Sequence, residues 1–124
     1  MPGDIQRRLE ELGLELPPVP QPVAAYVPAV LEDGWLYVSG QLPWRDGELA
    51  YRGQLGATVT VEEGYEAARW CALNLLAVVR SALGSLEAVR RVVKIVGFVN
   101  SAPGFTAQPQ VLDGASQLLV DVFG

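Results

Sequence analysis

The sequence contains no histidine and a single cysteine, Cys71. Those two counts exclude a Ser-His-Asp triad, a Cys-His pair, a zinc site of the usual His/Cys kind and a disulfide within the chain. No imidazole is present to shuttle protons. Chemistry is left to carboxylates, hydroxyls, Tyr, Arg, Lys, backbone groups and ordered water. Lys94 stands in a valine-rich run, where a desolvated amine could form a Schiff base. Such a lysine also snorkels to an exposed sheet face or a subunit interface. Arg90, Arg91 and Lys94 come nearest to a basic cluster, and read either as an anion site or as the solvated start of a strand. Cys71 falls in an apolar helix and reads as inert packing. Ser39-Gly40 closes a strand, and a glycine there lets backbone or ligand approach closely. Tyr26 reads either as a cleft residue or as a half-buried strand residue. Trp44, in a polar turn after Pro43, is a candidate for binding at a cleft rim.

The elements that must position these residues follow from length and pattern. The chain has 124 residues and 13.3 kDa, the size of one domain, and half its residues are apolar. A net charge of −5 and a pI near 4.6 disfavour phosphate backbones, so nucleic acid is not an expected partner. No 18-residue apolar stretch and no basic-then-apolar leader are read, which gives an expectation of a cytoplasmic protein with no membrane partner.

Residues 4–13 predict a short helix capped by Asp4, with Ile5, Leu9 and Leu12 on one face and Gly13 as the stop. The proline-rich LPPVPQP at 16–22 predicts a stiff arm lying on the domain. Strands are expected at 23–31, 35–42 and 48–56, with Asp33-Gly34 and Asp46-Gly47 as turns. Thr60 and Glu63 form a capping box that opens a helix over 61–83, apolar on more than one face and stopped by Gly84. The run VRRVVKIVGFVNSA at 89–102 predicts a central strand, and 106–124 a second long helix with Pro109 in its first turn. The expected architecture is α+β: a four-strand sheet with helices on one face, whose open edges call for pairing.

Three pieces in this order carry a resemblance: LYVSGQLPWRDGEL at 36–49, the capped helix containing Asn74-Leu75, and VVKIVGFVNSAPGF at 92–105. Together they resemble the RidA family, also called the YjgF family or endoribonuclease L-PSP, over roughly residues 22–124. The N-terminal stretch RRLEELGLELPPVPQPVAAYVPAV resembles a subgroup that carries such an extension. The resemblance implies a chorismate-mutase-like (RidA-like) fold with a mixed β-sheet and two long helices on one face. Residues 1–22 then form a helical, proline-rich arm and 23–124 the RidA-like domain.

The resemblance further implies a homotrimer with small-molecule ligands of the 2-imino or 2-oxo acid type in clefts between subunits. In archetypal relatives the reaction is hydrolysis of reactive enamines and imines to a 2-oxo acid and ammonia, with no metal and no organic cofactor. Tyr26, Ser39 and Gly40 match family cleft positions. Gln108 occupies the region where the family often has an asparagine. The clamping arginine and the glutamate that positions water lie in family strands after the second helix, and the sequence stops at Gly124. Truncation and a shortened member completed by a neighbour are the two explanations. Either way no catalytic residue is assigned, and this stretch by itself is expected to turn over no imine. The alternatives are a non-catalytic metabolite-binding trimer and, with less support from an acidic chain, a ribonuclease or translation inhibitor.

Overall fold

The computed structural model describes residues 3–21 and 24–124. The expected boundary between arm and domain, at 22–23, lies outside the described residues, as do Met1 and Pro2.

Helix α1 spans Asp4–Glu11. Asp4 is its first residue and not its cap: Gly3 precedes it, with no side-chain cap. The α1 N-terminus is served from far along the chain. The Ile5 amide donates to both carboxylate oxygens of Glu87, at 2.6 and 3.2 Å. A carboxylate there also opposes the positive end of the helix dipole. The helix ends as expected near Gly13. The Gly13 amide donates to Glu10 O and the Leu14 amide to Leu9 O, a Schellman closure that brings Leu14 and Leu9 into one apolar cluster. Arg8 Nη1 donates to Val122 O at 2.8 Å. Leu9, at 2% exposure, is the plug that seats the arm on the body.

Two hairpins follow. Strands β1 (Ala29–Glu32) and β2 (Trp35–Val38) pair antiparallel, with Glu32 opposite Trp35 across Asp33-Gly34. Both turn residues have positive φ, 50° and 79°, the pattern that Asp-Gly accommodates in a tight hairpin. Strands β3 (Trp44–Arg45) and β4 (Glu48–Leu49) pair across Asp46-Gly47. Period-2 alternation turns Leu36 and Val38 towards the core and leaves Trp35 and Tyr37 exposed.

Helix α2 (Val61–Leu83) opens on the expected capping box. Glu63 N–H donates to Thr60 Oγ1 at 3.1 Å, and Thr60 N–H to Glu63 Oε1 at 3.0 Å. Gly84 closes the helix. A 3-10 turn, Leu86–Ala88, brings Glu87 to the arm, and helix α3 (Gln108–Phe123) follows. Helix α2 lies between the β1–β2 hairpin and α3, which accounts for its apolar sides. Leu76, Leu118 and Val122 are fully buried where the helices meet. The helices pack tightly at Gly114, where a Cβ would lie 1.9 Å from Tyr65 O.

The sheet differs from expectation. The described strands form two separate two-stranded antiparallel sheets and not one mixed four-strand sheet. The β-like pattern over 48–56 yields only the short β4. The run at 89–102, expected as the central strand, has no strand ladder, and residues 91–98 are exposed on both parities. At the end of the run Leu55 N–H donates to Asn100 O and Ala102 N–H donates to Leu55 O. Alternation of Val, Ile and Phe sets a residue's tendency to extend, but a strand also needs a neighbour for its amides. Within the described residues that neighbour is absent.

Candidate functional site

A small, open recess lies where the arm crosses the end of the β1–β2 hairpin. Tyr26 and Pro28 enter it from the stretch before β1, Gly40, Gln41 and Leu42 from the loop after β2, and Trp44 from the start of β3. Pro20 and Gln21 close it from the arm.

Local hydrogen bonds hold each wall. Ser39 N–H donates to Pro28 O at 2.9 Å, and Ser39 Oγ donates to Val27 O at 2.5 Å, so the two approaches to the hairpin stay together beyond the ladder. Gln41 Nε2 donates to Ser39 O at 3.2 Å and is thereby tied to the strand end. The loop from Leu42 to Trp44 is fixed from beneath by Asn74, which is 1% exposed in the middle of α2. Its Nδ2 donates to Leu42 O at 3.3 Å, Trp44 O at 2.9 Å and Trp70 O at 2.9 Å. Burial of a carboxamide is tolerable because it is hydrogen-bonded, and here the bonds shape a loop as well as satisfy the group.

Of the sequence-expected site residues, Tyr26 and Gly40 line the recess, and Ser39 stands beside it as a brace. Gln108 is at the first turn of α3, where its Nε2 donates to Phe105 O at 2.9 Å and Ser101 Oγ at 3.3 Å, and it does not line the recess. Trp44, singled out as an aromatic in a polar turn, lines the recess. Sequence reasoning did not assign Pro20, Gln21, Pro28, Gln41 or Leu42. Gln41 and Asn74 were visible in the family-like motifs but carried no role. The arm residues gave no signal beyond a proline run followed by a polar residue.

Among the described residues the lining has no carboxylate and no cation, and Tyr26 is its one ionisable group. The apolar faces of Pro20, Pro28, Leu42 and Trp44 suit a small ligand with an apolar part. The carboxamides and the phenol offer hydrogen bonds. Lys94, Arg90 and Arg91 are exposed, so Lys94 lacks the desolvation that activates a Schiff-base amine. Burial pushes the Cys71 thiol up to about 11, so it stays protonated and weakly nucleophilic at neutral pH. Trp70 carries a buried indole N–H without an acceptor and lies under the Arg45 guanidinium, 6.0 Å from the ring centroid. Among the described residues no group of three or more His, Cys, Asp or Glu is placed to hold a metal, and no helix is long and apolar enough to cross a membrane.

Comparison with known proteins follows the same lines. A family model described as "YjgF/chorismate mutase-like, putative endoribonuclease" matches residues 6–124, arm included. Protein TCP17 of Trypanosoma cruzi is 48% identical over 122 residues, spanning 98% of this chain and 76% of that protein. The crystal structure of a "putative endoribonuclease" from Shewanella oneidensis superposes with a TM-score of 0.94 at 40% identity, covering 97% of this chain and 80% of that one. The protein Atu1372 of unknown function from Agrobacterium tumefaciens gives 0.87 at 45% identity, covering 97% of this chain and 73% of that one. Similarity of this extent fixes the fold as chorismate-mutase-like and α+β, and bears out the likeness first read from the SGQ strand end, the Asn74 helix and the FVN segment. The chain belongs to the YjgF/chorismate mutase-like family, in which RidA proteins are placed.

Proposed function

We propose that the recess binds a small 2-imino or 2-oxo acid, in the manner of RidA-type proteins that act on reactive enamines and imines from amino-acid metabolism. The observation that carries this reading is the convergence of Tyr26 and Gly40, two of the three family-like cleft positions, with Trp44 on one recess. In the corresponding reaction, water adds to the imine carbon, the C–N bond breaks and ammonia leaves, giving the 2-oxo acid. The described residues supply the binding part: the Tyr26 phenol, the carboxamide of Gln41 and the open backbone at Gly40. They place no general acid or base of ordinary carboxylate type at the recess. A cytoplasmic setting, where such intermediates arise, accompanies this reading. A ribonuclease has less support, because the net charge is −5.

Gly40 gives a clean test. A Cβ there meets nothing within 4 Å, so Gly40→Val adds bulk to the recess without disturbing packing. Addition of 2-oxobutanoate is expected to raise the melting temperature of the wild-type chain by several degrees at saturating ligand. Gly40→Val is expected to keep its own melting temperature and to lose that response. A response that survives in the variant, or none in the wild type, overturns the proposal.

The same reading places the recess in an assembly of three copies. Its support is the apolar surface left uncovered: Tyr37 at 63%, Val96 at 65% and Phe98 at 95% exposure. Surface of that kind marks association. Light scattering at micromolar concentration is expected to give three times the chain mass, and Phe98→Asp to lower it. A wild-type monomer refutes the assembly.

A further inference from the structure

Helix α1 has little of its own to hold it together. Its 8 residues fall short of the roughly 12–15 at which an isolated helix is even marginal in water. Its cap position, Gly3, offers no side chain, and the exposed Asp4–Arg7 pair, at 3.9 Å, adds little. Leu9 is its one buried residue. Among the described elements α1 touches only the 3-10 turn and α3. The helix is therefore a product of docking, in which Leu9 joins Leu86 of the turn and Leu118 and Val122 of α3 in one cluster.

The body does not depend on the arm in the same way. Helix α2 carries its own capping box and glycine stop, and its contact with α3 runs through Leu76, Leu118 and Gly114. The 3-10 turn is closed locally: the Glu87 amide donates to Ser85 Oγ and the Val89 amide to Leu86 O, each at 3.1 Å. The Glu87 carboxylate is thus presented from a preformed turn, and it takes the Ile5 amide at the positive end of α1. The second polar contact, from Arg8 to Val122 O, serves a carbonyl in the last turn of α3, where water replaces it once the arm has left.

We propose that residues 4–16 form an order–disorder strap latched by Glu87, which leaves the body and returns to it as one unit while α2 and α3 stay folded. Segments with few buried apolar contacts open at a smaller cost than the whole domain. In the open state the helix is lost, Leu86 and Val122 are uncovered and the Glu87 carboxylate faces water. A partner that grips the docked strap closes this groove. One that binds Leu86 and Val122 holds it open, each by its differential affinity for the two states. The device is independent of what the recess binds.

Amide hydrogen exchange of the full chain, read peptide by peptide in a mass spectrometer and corrected for intrinsic rates, tests this. The hydrogen-bonded amides of residues 4–16 are expected to exchange about a hundredfold or more faster than the centre of α2. Glu87→Ala removes the latch and is expected to speed exchange over 4–16 by on the order of tenfold, with α2 unchanged. Glu87→Gln keeps an acceptor oxygen but loses the charge, so its rate is expected to fall between the two. A common rate for 4–16 and α2 in the wild type overturns the strap, because arm and body then open together. A Glu87→Ala variant that leaves 4–16 unchanged, or speeds 4–16 and α2 by one factor, overturns the latch.

Discussion

Asn74→Asp is expected to destabilise the chain at neutral pH by on the order of 3 kcal/mol, and to abolish ligand binding at the recess. The carboxamide nitrogen donates to three carbonyl oxygens, of Leu42, Trp44 and Trp70. An ionised carboxylate in the same place is an acceptor facing acceptors, with the residue 1% exposed. Protonation restores a single O–H donor, so the folded variant holds its proton more tightly than the unfolded chain, where an aspartate titrates at about 3.9. With more protons bound in the native state, stability falls as pH rises. The deficit relative to wild type is therefore smallest below about pH 4 and widens upward through the raised folded-state value of the introduced carboxyl. Denaturant titrations of both proteins from acidic to neutral pH read this directly. A deficit that does not change with pH would show that lost donors, and not the introduced charge, dominate. Against a total stability of roughly 5–15 kcal/mol, a loss of this size is severe. It acts on binding as well, because Leu42 and Trp44 are walls of the recess.

Gly114→Ala tests the other end of the packing, and its sign opposes intrinsic preference. Alanine favours a helix interior over glycine by about 1 kcal/mol. Here the added Cβ would lie 1.9 Å from Tyr65 O and 2.8 Å from Tyr65 C. Both are backbone atoms of α2, so no rotamer relieves the clash. The helices must move apart, and the contact that buries Leu76 and Leu118 loosens with them. Overpacking of this kind costs about 1–3 kcal/mol and more where backbone must shift, which outweighs the gain in propensity. We expect a melting temperature lowered by ten degrees or so, the upper part of that range for a domain of this size. A melting temperature at or above that of wild type would show that α2 and α3 are not in this contact.

Local signals in the sequence were legible because one segment settles them. Asp33-Gly34 and Asp46-Gly47 fix their own φ angles, and Thr60 and Glu63 satisfy each other within one turn. Tyr26 and Gly40 were reached through family likeness and meet at the recess. What the sequence hid depends on distant partners. Asp4 had the right residue type for a cap, yet Glu87 supplies the acceptor from elsewhere. The valine-rich run at 89–102 had the alternation of a strand, yet pairing needs a second backbone. Gln21 carries no local signature at all, because its place follows from where the arm docks.

The docking of the arm has a consequence for the order in which the molecule is made. Ile5 waits for Glu87, 82 positions later, and Arg8 waits for Val122, 114 positions later. During synthesis from the N-terminus the first helix therefore emerges with nothing to rest on. It stays undocked while the hairpins and α2 form around local contacts, since pairings of long sequence separation come slowly and late. The arm, made before both of its partners, is last to take its place, and the recess acquires its arm wall only when α3 has been released.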